Sequence, residues 1–190
     1  MGAWLLAAAG YGLANHWKMT ADKLRAYLSR TDLNQLTGEA RAKALRELAD
    51  RINALSPEDR RNARLGHLWT QWFSEMTEEE KSAFLDATLP TGFKEMLTSF
   101  EQLPAQRRKL AIDKALKEMQ VARNKQPSSQ TNATDTNAVV LSDDLQKQVA
   151  MIGLKSVYSD SSAETKAELA PLLEQIQINM EMGRMPRGGN

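Results

Sequence analysis

The chain has 190 residues, of which 42% are hydrophobic and 26% are charged, and its formal net charge at pH 7 is +1. This length fits one domain with appendages, or one domain and a smaller second one, and the composition is that of a folded protein. The near-neutral charge gives no reason to expect nucleic acid as a partner. Cysteine is absent, which excludes disulfides, thiolate metal sites and a cysteine nucleophile. Residues that favour helices dominate, so we predict an all-α fold.

The first 17 residues contain no charged side chain and are mostly apolar. The stretch is at the short end of the roughly 17 to 25 residues that a membrane-spanning helix needs. Basic residues follow it at Lys18, Lys23 and Arg25, as they do on the cytoplasmic side of an anchor. We therefore predict a single-pass membrane anchor in residues 1–17. Two alternatives stay open: a signal peptide cleaved after Ala14, which places the body in the periplasm, and an apolar helix packed on the body.

Residues 18–125 are predicted to form a helical body, because they repeat a helix start followed by apolar residues three and four positions apart. At one of these starts, Thr77 is followed three residues later by Glu80, the spacing of a capping box. The body is therefore expected to be an irregular bundle of short helices. Its predicted helix starts are the N-caps Thr20, Thr37, Ser56 and Thr77, and Pro104 before the last helix.

Residues 126–138 have no large apolar side chain and are predicted to be a disordered linker. The tail, residues 139–190, is predicted to form two helices and a disordered C-terminus. Its first helix begins after Ser142, and Pro171 is expected to kink or break the second near Ala167. A two-helix hairpin is too small to be stable alone. We expect it to dock on the body, on a second copy or on another protein.

The aromatic residues Trp69, Trp72 and Phe73 are the most concentrated apolar group in the chain. Such side chains anchor protein interfaces, which makes them a candidate interaction surface. Packing inside the core is the alternative, and we favour it.

A basic group, Arg60, Arg61 and Arg64, lies early in a predicted helix. Positive charge at that end opposes the helix dipole, so an acidic or phosphate-bearing partner would stabilise it. The neighbouring acids Glu58 and Asp59 are an adequate alternative partner. We add the three arginines to the candidate interaction surface.

No set of residues points to catalysis, a metal or a cofactor. The two histidines, His16 and His67, are far apart in the sequence and have no carboxylate at the spacing of a helical metal site. The acidic run from Glu78 to Glu80 is explained by its position at a helix start. Phosphate loops, dinucleotide fingerprints and nucleophile elbows are all absent from the sequence. We predict a protein that is not an enzyme.

The recurring helix starts, Leu55–Arg60, Met76–Lys81 and Leu103–Arg108, resemble those of small bacterial envelope-associated helical proteins. The layout as a whole is similar to that of uncharacterised bacterial membrane-anchored helical proteins, a resemblance that implies no activity. A weaker resemblance is to the Spy/CpxP-type periplasmic chaperones. Their L-T-x-x-Q motif is approached by Leu97–Gln102, in which the glutamine comes one residue late. That second resemblance implies binding of unfolded clients.

These inferences predict a non-catalytic, membrane-associated helical adaptor or scaffold that mediates protein–protein interaction. The expected partners are a membrane, through residues 1–17, and another protein or a second copy of the chain. The alternative function is a secreted periplasmic helical chaperone or envelope-stress sensor.

Overall fold

The computed structural model describes residues 18–62, 66–124 and 141–181, and of residues 61–62, 66–69 and 122–124 it describes the backbone alone. In these ranges the regular structure is helical, without any strand, and the predicted all-α fold is confirmed. A short 3-10 turn and one isolated bridge, between Met19 and Leu55, complete it. The α-helices of the described residues are α1 (Ala21–Arg30), α2 (Gly38–Asn53), α3 (Pro57–Asn62), α4 (Gly66–Glu75), α5 (Glu78–Glu101), α6 (Ala105–Asn124), α7 (Asp143–Asp160) and α8 (Ala163–Glu181).

Three of the four predicted N-cap side chains, those of Thr20, Ser56 and Thr77, accept a capping hydrogen bond. The Thr77 hydroxyl accepts a hydrogen bond from the Glu80 N–H at 3.2 Å, and the Glu80 carboxylate accepts one from the Thr77 N–H at 2.9 Å. This reciprocal pair is the predicted capping box. Thr37 precedes α2 as predicted, but its side chain makes no capping hydrogen bond. The next residue, Gly38, has a φ of +53°, a conformation that glycine adopts without strain.

The chain divides into two compact units, Met1–Glu75 and Met76–Asn190, here called unit 1 and unit 2. The predicted body, residues 18–125, therefore extends over parts of both units. The two tail helices, α7 and α8, belong to unit 2 together with α5 and α6. Helical periodicity identifies a buried face but not the helix that covers it, so the sequence did not reveal this division.

Unit 1 has a core formed mainly by α1, α2 and α4. Leu24 of α1 and Leu48 of α2 are fully buried. The Arg41 guanidinium donates hydrogen bonds to the backbone carbonyls of Leu33, at 2.8 Å, and Glu75, at 2.7 Å. One charged side chain thus connects the 3-10 turn to the end of α4, because its several N–H groups satisfy carbonyls from both.

In unit 2, α5 and α7 lie side by side and run in the same direction. The Ser142 hydroxyl, just before α7, donates a hydrogen bond to the Glu78 carboxylate at the start of α5, at 2.8 Å. Further along, the Gln148 amide donates one to the Ser82 carbonyl at 3.0 Å. Residue numbers rise together on the two helices, so the helices are parallel.

The other two helices of unit 2, α6 and α8, meet at their N-terminal ends. Near the start of both, the Arg108 guanidinium binds the carboxylates of Glu164, at 2.5 Å, and Glu168, at 2.7 Å. The Glu101 carboxylate, at the end of α5, accepts a hydrogen bond from the Ser162 N–H at 2.8 Å. The tail helices therefore dock on the rest of unit 2, which was one of the three arrangements expected for them.

Helix α8 continues through Pro171, so of the predicted kink or break near Ala167 the break does not occur. A proline inside a helix removes one backbone hydrogen bond, and that loss must be offset elsewhere. Leu169 and Leu173, on either side of Pro171, are both buried. Tertiary packing therefore stabilises a helix that local sequence disfavours.

The predicted transmembrane helix and single-pass membrane localisation are contradicted, because none of the helices in the described ranges is both long and apolar enough to cross a bilayer. The physical reason is that these helices are apolar on one face only. The longest, α5, carries charged residues from its first turn, beginning at Glu78, to its last residue, Glu101. Segment 1–17, on which the anchor was predicted, lies outside the described residues, as do the predicted linker and residues 182–190.

Candidate functional site

A cleft of about 610 Å³ lies among the four helices of unit 2. Each helix contributes residues spaced mainly three and four positions apart, so each presents one face to the cleft. The lining residues are Phe93, Met96, Leu97 and Phe100 of α5; Ala111, Ile112, Ala115 and Met119 of α6; Leu141; Gln146, Val149, Ala150, Gly153, Leu154 and Val157 of α7; and Leu169, Leu172, Leu173 and Ile176 of α8.

The floor of the cleft is a buried apolar cluster. Its members belong to all four helices, and partly buried apolar side chains pack around them. Met96, in contrast, is 55% exposed and lies at the rim. The cleft is thus accessible to solvent along α5. The buried cluster consists of Leu97, Ile112, Val157, Leu169 and Leu173.

Small side chains leave the space that the cleft occupies. Ala111, Ala115, Ala150 and Gly153 lie among the larger apolar residues of the lining. Protein interiors are close-packed, so small residues at facing positions leave a void unless the backbones approach. At Gly153 a side chain fills that space instead, since an added Cβ would lie 3.0 Å from the ring of Phe93. Gly153 therefore leaves room for the Phe93 ring of α5 against α7, while the alanines are among the small residues that line the cleft.

Among the residues that the structure describes, the lining contains no charged side chain, and its single polar side chain is that of Gln146. The Gln146 amide nitrogen donates a hydrogen bond to the carbonyl oxygen of Leu141 at 2.8 Å. Apolar walls with few polar groups are typical of small-molecule binding sites, and the volume of the cleft lies within their usual range. The cleft is therefore suited to an uncharged apolar guest.

Charged groups gather instead at the end of unit 2 where α6 and α8 begin. The hydrogen bond from Arg108 lowers the pKa of Glu168, and the same pairing raises the pKa of Arg108. The backbone N–H of Ser162 lowers the pKa of Glu101. These interactions stabilise the ionised forms and connect the helix ends, but none of the three ionised groups lines the cleft.

The predicted aromatic surface lies in unit 1, and two of its members are core residues. Trp72 and Phe73 are each 2% exposed. The Trp72 indole donates a hydrogen bond to the Leu28 carbonyl at 3.2 Å, and its ring centroid is 5.8 Å from that of Tyr27. These contacts are those of packed side chains. The side chain of Trp69 is outside the described part, and a partner for this surface stays a prediction.

The predicted basic surface is only partly described. Arg60 is half-buried on α3. Of Arg61 only the backbone is described, and Arg64 lies outside the described residues. Whether the three arginines share a surface is therefore still a prediction from the sequence.

Within residues 18–62, 66–124 and 141–181 no group of three or more His, Cys, Asp and Glu side chains is arranged to hold a metal ion. His16 lies outside these ranges, and of His67 only the backbone is described.

The sequence found the apolar faces of the cleft but missed the cleft itself. The stripes of apolar residues spaced three and four positions apart, which include Phe93 and Leu169, predict faces that bury against one another, but they do not show the space left between them. Small residues on α7, above all Ala150 and Gly153, lie in line with larger apolar residues, and this pattern in the sequence could have indicated a cleft.

Comparison of the chain with models of protein families, with curated proteins and with solved structures finds no match. The resemblance to bacterial envelope proteins therefore stays a prediction.

Proposed function

We propose that this protein is a non-catalytic interaction module, and that unit 2 binds an apolar helical segment of a partner protein in its cleft. The observation that carries the proposal is the cleft of about 610 Å³, whose lining has no charged residue in the part of the chain that the structure describes. Binding of an amphipathic helix in an apolar groove is a common mode of peptide recognition. The proposal retains the adaptor function predicted from the sequence but not its membrane anchor.

The shape of the cleft favours a helix as the guest. On α7 the lining extends from Gln146 to Val157, which corresponds to roughly 16 Å at the rise of an α-helix. A guest helix of about three turns matches that length. It would contribute apolar side chains at every third and fourth position, as the four walls do, and pack as a fifth helix of the bundle.

A chaperone is the second candidate function, favoured by the methionines of the cleft. Met96 and Met119 both line it. Methionine side chains are flexible and polarizable, and they are frequent on surfaces that bind many different apolar sequences. An adaptor would prefer one guest sequence, whereas a chaperone would bind many with similar affinity.

The proposal can be tested with the full chain and a synthetic peptide of about 18 residues, long enough to form a helix. The peptide carries leucine at positions i, i+3, i+4, i+7 and i+11 and polar residues elsewhere. We expect saturable binding in fluorescence anisotropy, weakened about tenfold or more by Ala150→Leu, because the larger side chain occupies the cleft. Ala83→Leu is the matched control, since Ala83 is exposed on α5 and lies outside the lining.

A peptide of the same composition with scattered leucines should bind weakly. Absence of saturable binding, or equal loss in both variants, would contradict the proposal. So would a dimer of the full chain, seen by sedimentation, that Ala150→Leu dissociates, because the occupant of the cleft would then be a second copy. A set of unrelated apolar peptides bound with similar affinity would favour the chaperone.

A further inference from the structure

Gln146 is the one polar side chain among the described residues that line the cleft. It lies on α7, half-buried, in line with Val149, Ala150 and Gly153. An apolar side chain at this position would continue the stripe and close the core more completely. The glutamine is therefore the position at which the lining departs from its own pattern.

The orientation of the Gln146 amide follows from its hydrogen bond. The partner is the backbone carbonyl of Leu141, 2.8 Å away, and a carbonyl oxygen only accepts. The amide nitrogen therefore faces the Leu141 carbonyl. The other atom, the acceptor oxygen Oε1, has no hydrogen-bond partner among the described residues.

Because Gln146 lines the cleft among apolar side chains, its acceptor oxygen favours one kind of guest. A guest that covers Oε1 without offering a donor removes its hydration and leaves it unsatisfied, which is unfavourable. A guest with one hydroxyl or N–H group restores the lost hydrogen bond. A charged guest gains little, because the described residues of the lining include no ionised side chain to pair with it.

We infer that Gln146 is the specificity-determining residue of the cleft, and that it favours an apolar segment bearing one uncharged hydrogen-bond donor, such as a hydroxyl or an indole N–H. This inference rests on the proposed function, since it names the chemistry of the guest that the cleft binds. It also explains why a glutamine interrupts the apolar face of α7.

The test uses two side-chain analogues, indole and 1-methylindole, which differ in the N–H donor. Small analogues avoid the question of which peptide residue lies beside Gln146. Dissociation constants for the full chain are measured by calorimetry or by chemical-shift titration. We expect the wild-type chain to prefer indole, and Gln146→Leu to shift the ratio of the two constants at least about fivefold toward 1-methylindole, the change expected for one hydrogen bond.

Gln148→Leu is the matched control. Gln148 is two residues further along α7 and donates its hydrogen bond to Ser82 of α5, outside the lining. The same substitution there should leave the ratio of the two dissociation constants unchanged, even if it lowers stability. A ratio is compared within each variant, so a partly unfolded fraction affects both ligands equally.

The outcomes separate this inference from the proposed function. If the leucine-rich peptide binds but Gln146→Leu leaves the ratio unchanged, the inference about Gln146 is wrong while the cleft remains a binding site. If the peptide binds and neither indole does, the inference is also wrong. If the peptide itself fails to bind, the proposed function is wrong.

Discussion

Single side chains in this protein owe their roles to partners far away in the sequence. Trp72 was a candidate interface anchor, but its indole N–H donates to the Leu28 carbonyl, 44 residues earlier. Arg108 is one arginine among many in the sequence, yet its guanidinium binds the carboxylates of Glu164 and Glu168. Residue type alone predicted neither partner, because both depend on how the helices are arranged.

Trp72→Phe should destabilise the protein. It removes the indole donor from a buried carbonyl and leaves a cavity, and together these effects should lower the free energy of unfolding by about 2 kcal/mol or more. Urea denaturation followed by far-UV circular dichroism measures the change. Tyr158→Phe is the control, because Tyr158 is 57% exposed, and it should change the free energy of unfolding little. Equal effects of the two substitutions would show that Trp72 is not a core residue.

The ion pair of Arg108 with Glu168 should make the free energy of unfolding depend on pH in the acid range. The pKa of Glu168 is lowered from its ordinary value of 4.5 in the folded state. The stabilisation from this ion pair is therefore complete above the unfolded-state pKa of Glu168 and is lost as the pH falls through its folded-state pKa. Denaturation midpoints measured between pH 7 and pH 3 should fall less steeply in Arg108→Gln than in the wild type.

Arg107→Gln is the comparison for that experiment. Arg107 is the neighbouring arginine and its side chain is exposed. We expect it to retain the wild-type pH dependence, although it removes the same charge. Parallel pH profiles for all three proteins would mean that Arg108 does not stabilise the ionised form of Glu168.

Whole helices show how local preferences and tertiary contacts combine. The start of α5 is determined locally, by the capping box of Thr77 and Glu80. The continuation of α5 through Pro90, and of α8 through Pro171, is not determined by local sequence. Proline disfavours the helix interior, so contacts with neighbouring helices must supply the difference. Sequence therefore predicts where these helices begin better than how far they extend.

Two glycines in helices should respond oppositely to alanine. At Gly92 of α5 an added Cβ meets nothing within 4 Å, so Gly92→Ala should stabilise the protein by about 0.5 to 1 kcal/mol through the lower entropy of the unfolded chain. At Gly153 of α7 the same atom would lie 3.0 Å from the Phe93 ring. Gly153→Ala should therefore give no stabilisation or should destabilise the protein, because the Phe93 ring must move. Thermal unfolding of both variants measures the difference, and equal stabilisation would disprove the close contact.

The molecule as a whole consists of two compact units with a boundary after Glu75. The cleft belongs entirely to unit 2, where α5 and α6 meet the tail helices α7 and α8. The residues that the sequence singled out as an interaction surface, such as Trp72, lie in unit 1. The proposed binding site and the predicted one are therefore in different units.

A fragment of residues 76–190 should fold and bind by itself. Unit 2 has its own buried cluster, so we expect a helical circular dichroism spectrum, cooperative unfolding in urea, and binding of the leucine-rich peptide with an affinity close to that of the full chain. A fragment that carries Ala150→Leu serves as the control for binding. Loss of cooperative unfolding in the fragment would show that unit 2 does not fold independently.

The sequence by itself determined the fold class, the N-caps and the apolar face of each helix. These properties are local, since they depend on residues within one or two turns of each other. Thr77 and Glu80, for example, are three residues apart and behave as predicted.

Only the tertiary structure decided which helices pack together, that α8 continues through Pro171, and that the stripes on α5 to α8 enclose a cleft instead of a filled core. Those outcomes depend on contacts between residues about 60 positions apart, such as Phe93 with Gly153. A stripe of apolar residues specifies that a helix face will be buried. The volume left between four such faces depends on how small residues such as Ala150 align across the helices. The spacing of residues along one helix carries no information about that alignment.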